Sequence, residues 1–188
     1  AAIEAKARRH FAEAYKCAPD IPWLAEFARQ EAPDALGPEA ADSALQQQVE
    51  RLAAELSRLG SIHERKFATL EKEILQGLSH PDTFEHAQVQ LGNLLGFIAG
   101  KKESEGSPDP WWISGATCVV FEDYVSTTRD GTLDVTKARQ AASHPNWMTT
   151  HVEQAKGCTF FPTLVSPATG IRVAAVPHAK TLHYWELD

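Results

Sequence analysis

The sequence predicts an α/β domain built on a central sheet and preceded by an all-α region. Three observations point there. Residues 39–77 are dominated by Ala, Leu, Glu, Gln, Arg and Lys, and Leu45, Val49, Leu52, Leu56 and Leu59 step by 4, 3, 4 and 3, the spacing of a heptad seam. Beyond residue 79 the segments alternate as helix, strand, strand, helix, strand, helix or loop, strand, which is an α/β order. Within that part, Cys118-Val119-Val120-Phe121 is an apolar run of the kind shown by a strand covered on both faces.

Taken in order, Ile3, Ala7, Phe11 and Ala14 predict an amphipathic helix over 1–17 that Pro19 and Pro22 end. A shorter helix follows from Trp23 to Glu31. After a loop at 32–38 comes the long helical stretch from Glu39 to about Gly77, its seam resuming at Phe67, Leu70 and Ile74 after one extra residue between Leu59 and Phe67. That stripe suits either an antiparallel hairpin on the preceding helices or a coiled coil between chains or domains, the latter allowing a homodimer. The expected division is therefore a helical region at 1–78 and an α/β domain at 79–188.

The α/β part opens at Ser79-His80-Pro81-Asp82 with a helix whose stripe is Phe84, Ala87, Leu91, Leu94/Leu95 and Ile98. Gly92 and Gly96 allow close approach to a sheet. A polar loop at 100–110 leads to one or two strands over 112–125, and Arg129-Asp130-Gly131 marks a turn. Thr132 or Asp134 caps a helix that reaches about Ser143, with a short helical turn from Pro145. Strands are expected at 158–165, despite Pro162, and at 181–187.

Composition narrows the function. The chain has 188 residues, 43% of them hydrophobic, and no apolar run approaches a membrane span. It opens without Met or a signal-like segment and reads as a piece of something longer, with neighbouring domains missing. Cys17, Cys118 and Cys158 are odd in number and widely spaced, which predicts reduced thiols in a cytoplasmic protein, and the lack of a CxxC pair argues against structural zinc. Residues 1–80 hold 10 basic and 13 acidic residues, a balance of −3, and residues 81–188 hold 8 and 12, a balance of −4. Neither half is a basic footprint, so nucleic-acid affinity would have to come from a metal ion or partner domains. Phosphate-binding glycine loops, a GxSxG elbow and an HExxH helix are all absent from the sequence.

The chemistry-bearing stretch is Ser107-Pro108-Asp109-Pro110-Trp111-Trp112, with Glu122 thirteen residues after Asp109. One carboxylate stands at a Pro-rich turn and the other ends the apolar strand, a placement suited to clamping a divalent cation. The plain alternatives are a turn residue for Asp109, a solvated strand end for Glu122, and a capping box with Asp82 for Glu85. Lys137 and Arg139 would then face solvent, and Trp111, Trp112, Trp147 and Trp185 would be core and rim aromatics. His144 and His151 share a helical region without evident ligand partners.

Residues 79–188 resemble the restriction-endonuclease-like fold, the PD-(D/E)xK nuclease superfamily. The match is a helix bearing an acid, then Pro108-Asp109, then a strand ending in Glu122, then a helix with basic and amide groups. A complete motif carries Lys two residues after the strand acid. Tyr124 stands there in this chain, and a variation within the superfamily moves the Lys to the following helix, where Lys137 is the substitute. The resemblance implies a central mixed sheet flanked by helices. It gives Asp109, Glu122 and Glu85 to Mg²⁺ or Mn²⁺, Lys137 to transition-state charge and Gln140 to a water or phosphate oxygen. The segment Thr136–Trp147 also looks like the nuclease-type C-terminal module of large bacterial helicase-like proteins. The implied function is a metal-dependent nuclease acting on DNA within a larger bacterial protein, in phage defence or DNA processing. The alternatives are an inactive nuclease fold kept for nucleic-acid or protein binding, and a coiled-coil scaffolding module.

Overall fold

A computed structural model describes residues 38–60 and 65–187 of the chain. The helices expected over 1–17 and 23–31, together with Cys17, lie outside the described residues. In place of one long heptad helix there are two, α1 (Pro38–Leu59) and α2 (Arg65–Leu78), and Gly60 follows α1 at φ 87°. The seam divides with them. Leu59 and Ile74 are buried, whereas Leu45 and Val49 on α1 stay 61% and 53% exposed.

Helix α2 packs along α3 (Pro81–Leu94), to which it is joined by a two-residue turn. Helix α1 reaches the far end of α3, where the Gln48 amide and the Arg51 guanidinium donate to the carbonyls of Leu95 and Gly96. Residues 38–188 form one compact unit, so both helices share it with the sheet.

The sheet is mixed and five-stranded. Strands β1 (Ile98–Gly100), β2 (Trp111–Ser114) and β3 (Thr117–Asp123) run antiparallel in sequence. The chain then forms β4 (Thr132–Leu133), crosses through α4 (Val135–His151) and returns as β5 (Thr159–Ser166), parallel to β3 with Thr117 opposite Thr159 and Asp123 opposite Val165. Beyond it come β6 (Gly170–Ile171), which pairs with β4, the single helical turn α5 (Val176–Ala179), and β7 (His183–Glu186), which adds parallel to β5. A parallel neighbour needs such a crossover, and the α4 segment supplies it.

Alternation along β3 makes two cores. Cys118 and Val120 point toward α4 and pack with Trp111, Ile113, Met148 and Val152. Phe121 points the other way and packs with Phe84 of α3, Trp112 and Val165. Gly92 is required on that side, because a Cβ there would collide with the Trp112 indole, whose N–H donates to the Gln88 carbonyl at 3.0 Å.

Several boundaries differ from the sequence expectation, each for a local reason. Helix α3 stops at Leu94 because Gly96 turns the chain at φ 81°, so Ile98 enters β1 instead of extending the stripe; Gly96 abuts the Gln48 carbonyl of α1, not the sheet. Helix α4 runs through Pro145 to His151. Proline removes one helical hydrogen bond, but Met148 and Val152 beyond it are held in the core under β2 and β3. Pro162 is tolerated in β5 because β7 pairs only from Thr163 onward, leaving Pro162 with a neighbour on one side. Among the described residues no helix is long and apolar enough to cross a membrane.

Candidate active site

The carboxyl end of β3 is where this sheet brings polar side chains together, beside the start of the crossover helix, a position where open α/β sheets place ligands. Asp134 caps α4, its Oδ1 accepting from the Lys137 amide at 3.0 Å, and this fixes the first turn against β3. Lys137 then extends its ammonium to Glu122 Oε1. Seven residues on, two turns along the same helix face, His144 places Nε2 at 2.7 Å from Glu122 Oε2. Both Glu122 oxygens are thus occupied, and Glu122 and His144 are each 0% exposed. Burial opposes the charge on Lys137, yet the Glu122 carboxylate, with Asp109 and Asp134 behind it, leaves the ammonium pKa raised.

Tyr124, the residue in the motif lysine's place, packs against Leu133, Ala138, Leu164 and Ala175. The Lys137 ammonium lies 6.0 Å from its ring centroid. The helix lysine therefore occupies the space over the tyrosine ring and reaches the acid two residues earlier in the strand.

Asp123 points to the opposite face, toward α3. Its backbone N–H donates to Asp109 Oδ2 at 2.6 Å, which ties the Pro108-Asp109-Pro110 turn to the end of β3. Neither Asp123 carboxylate oxygen has a hydrogen-bond partner, although both are buried. Burial pushes the Asp123 carboxyl up to about 8, reinforced by the charges of Asp109, Glu85 and Glu122 and opposed by the Gln88 amide. Asp109 is pushed up to about 6, first by burial; the Asp123 N–H and Lys137 oppose that rise, and Glu122 and Glu85 add to it. Four carboxylates crowd one strand end.

Glu85 is not part of a capping box. Helix α3 starts at Pro81 after His80, two residues earlier than that box requires, and no side chain caps it. The Glu85 carboxylate instead pairs with Lys101, which also holds Glu103 at 2.6 Å. Gln140 lies on α4 between Lys137 and His144, half-buried, and makes no side-chain hydrogen bond among the described residues. Trp111 and Trp112 are each 7% exposed, core residues on opposite faces of β2, so neither ring is open to stack on a base.

Sequence reasoning missed Asp123, Gln88 and His144. His144 left a readable signal, since it follows Lys137 at the i, i+7 spacing that stacks side chains on one helix face. No family model, curated protein or solved structure matches this chain.

A divalent cation fits the donor set at this strand end. Hard cations take carboxylate oxygens, and Mg²⁺ binds through one or two carboxylates while keeping several waters. Asp109 and Asp123 have no ion-pair partner among the described residues, and the orphaned Asp123 oxygens are the kind of buried polar group that a bound ion would satisfy. No three His, Cys, Asp or Glu side chains form a ready ligand cluster among the described residues, so water or a phosphate would complete the shell.

Proposed function

We propose that this chain is a metal-dependent nuclease module, with the restriction-endonuclease-like arrangement around the end of β3. The observation that carries the reading is Lys137, which leaves α4 and meets Glu122 over the ring of Tyr124. The order of α3 with Glu85, Asp109 before β2, Glu122 ending β3 and Lys137 on α4 is the order the resemblance requires, on a mixed sheet flanked by helices.

Phosphodiester hydrolysis needs charge control and no redox chemistry. A water oxygen attacks phosphorus, one P–O bond breaks, and the leaving oxygen takes up a proton. Mg²⁺ or Mn²⁺, held by Asp109 and an acid at the end of β3, supplies charge neutralisation at the phosphate and a more acidic water. The Lys137 ammonium, kept protonated and oriented by Glu122, stabilises negative charge that grows on the phosphoryl oxygens. Pinning Asp109 to the Asp123 amide holds the two acids in register, and the Lys101 bridge holds Glu85 beside them.

Charge segregation supports a polyanionic substrate. From residue 135 to 185 the only acid is Glu153, against Lys137, Arg139, Lys156, Arg172 and Lys180. Arg139 on α4 meets His178 on α5 at 3.1 Å, which brings the basic part of the crossover helix to the segment carrying Arg172 and Lys180. DNA is the proposed substrate, and the excess of acids in the rest of the chain leaves further affinity to other domains of the same protein.

A second reading, a nuclease fold kept for binding, draws on Glu122, whose complete satisfaction by Lys137 and His144 resembles a structural network. Cleavage of single- and double-stranded DNA in Mg²⁺ or Mn²⁺ by the wild type, Asp109→Ala and Lys137→Ala separates the two. Loss of about 10²–10³ in rate for Lys137→Ala is expected for removing one charge-stabilising donor. Equal cutting by all three, or none by the wild type, contradicts the nuclease reading.

A further inference from the structure

The strand end of β3 offers two neighbouring acids, Glu122 and Asp123, that face opposite sides of the sheet, and their surroundings differ in kind. Glu122 has a cation or imidazole on each oxygen and no exposed surface. Asp123 has no partner on either oxygen. Beside it, on α3, Gln88 is 1% exposed and neither atom of its amide completes a hydrogen bond, though it lies close enough to act on the Asp123 carboxylate. Buried amides and carboxylates are nearly always satisfied, so two neighbouring groups with four orphaned atoms between them need a shared partner.

Charge points to the same partner. Glu85 is neutralised by Lys101, and Glu122 by Lys137, which leaves Asp109 and Asp123 as the uncompensated pair. Asp109 is already fastened to the Asp123 backbone, so its carboxylate stands at the Asp123 end of the cluster.

Resting on the nuclease reading above, the geometry points to Asp123, not Glu122, as the β3 carboxylate that binds the divalent cation, with Asp109 as its partner and the Gln88 amide as a neutral donor. Glu122 is then a positioning residue that orients Lys137 and His144 from the other side of the strand. The cation site lies on the α3 side of the sheet and the lysine on the α4 side, with the strand end between them.

Mn²⁺ titration of the full chain, followed by loss of the free-ion electron paramagnetic resonance signal, tests the assignment without relying on catalysis. Asp123→Asn is expected to weaken Mn²⁺ binding at least about tenfold, the lower end of what lost metal-site interactions cost. Gln88→Leu should weaken it less, and Glu122→Gln, which keeps hydrogen-bonding capacity toward Lys137 and His144, should leave it within a few fold of wild type. Mn²⁺ bound by Asp123→Asn as tightly as by wild type overturns the assignment, as does a wild type that binds no Mn²⁺. The Asp123→Asn arm stands alone should Glu122→Gln not fold. DNA cleavage in the same samples keeps the two ideas apart. Cutting that depends on Asp109 and Lys137 while Asp123→Asn binds metal normally leaves the nuclease reading intact and removes only this inference; Mn²⁺ held through Asp123 with no cutting does the reverse.

Discussion

The two sides of the β3 terminus put the same functional group, a carboxylate, to opposite ends. On the α4 side a buried carboxylate is satisfied on both oxygens, by Lys137 and His144. On the α3 side the Asp123 carboxylate oxygens are buried with no partner, and Asp109 beside them has its carboxyl raised to about 6. A folded chain tolerates buried charge only when it is paired. The first side obeys that rule within the protein, and the second obeys it by holding protons or, once these are lost, with a cation bound. A satisfied acid and an unsatisfied one thus stand one residue apart on a single strand.

Breaking the satisfied side should give the largest effect. Glu122→Ala leaves Lys137 and His144 without their acceptor, and removing one member of a buried ion pair costs about 3–5 kcal/mol, or about 6–20 °C in Tm for a chain of this size. Thermal unfolding followed by circular dichroism checks this. A fall of only a degree or two would mean that Glu122 is not the structural acid.

Gly92→Ala attacks the packing beneath the other side. The added methyl drives the Trp112 indole from its place against α3, an overpacking cost of about 1–3 kcal/mol. The same thermal measurement reads it, and an unchanged Tm would show that the indole has room to move.

The unsatisfied side should respond with the opposite sign. Metal-free Asp123→Asn at pH 8 is expected to be more stable than wild type, by about 1 kcal/mol, because it discharges a buried and unpaired acid while weakening metal binding, the trade of stability against function that the proposal entails. Its pH dependence follows from the raised carboxyls. In the folded chain Asp109 and Asp123 keep their protons to about 6 and about 8, whereas in the unfolded chain both lose them near 4. The folded state therefore holds more protons between those values, and its stability falls as pH rises through about 6 and then about 8. Tm of the metal-free protein should drop across pH 5–8, less steeply in Asp123→Asn and less steeply with saturating Mg²⁺. A rising Tm contradicts the assigned directions.

The smallest effect belongs to the rim. Glu103 is 85% exposed where it meets Lys101, so Glu103→Gln should change stability by less than about 1 kcal/mol and leave Mn²⁺ binding untouched. A larger loss would mean that the Glu85 to Lys101 bridge depends on it.

How far the sequence could be read follows the same division. The apolar run ending in Glu122 is a sheet strand covered by helices and Asp134 is the cap of the following helix, because apolar runs and caps are local signals; that Lys137 reaches the strand acid is suggested by the family resemblance and not by any local pattern. Which of Glu122 and Asp123 faces which helix was not legible. That choice depends on the parity of the strand against its neighbours, and a one-residue shift exchanges the faces. Ile98 fitted the α3 stripe and yet joins β1, since the turn at Gly96 outweighs one more apolar position. Pro145 reads as a stop and is passed, because Met148 and Val152 beyond it are held by the core. The heptad seam likewise fitted one continuous helix, and the chain breaks it after Leu59, with α2 turned against α3.

Anomalous diffraction from crystals grown in Mn²⁺ tests the division most directly. The account predicts one peak within coordination distance of the Asp109 and Asp123 carboxylates, on the α3 side, with Lys137 and His144 still on Glu122. A peak on Glu122 with Lys137 displaced, or no peak at the β3 terminus, would contradict it.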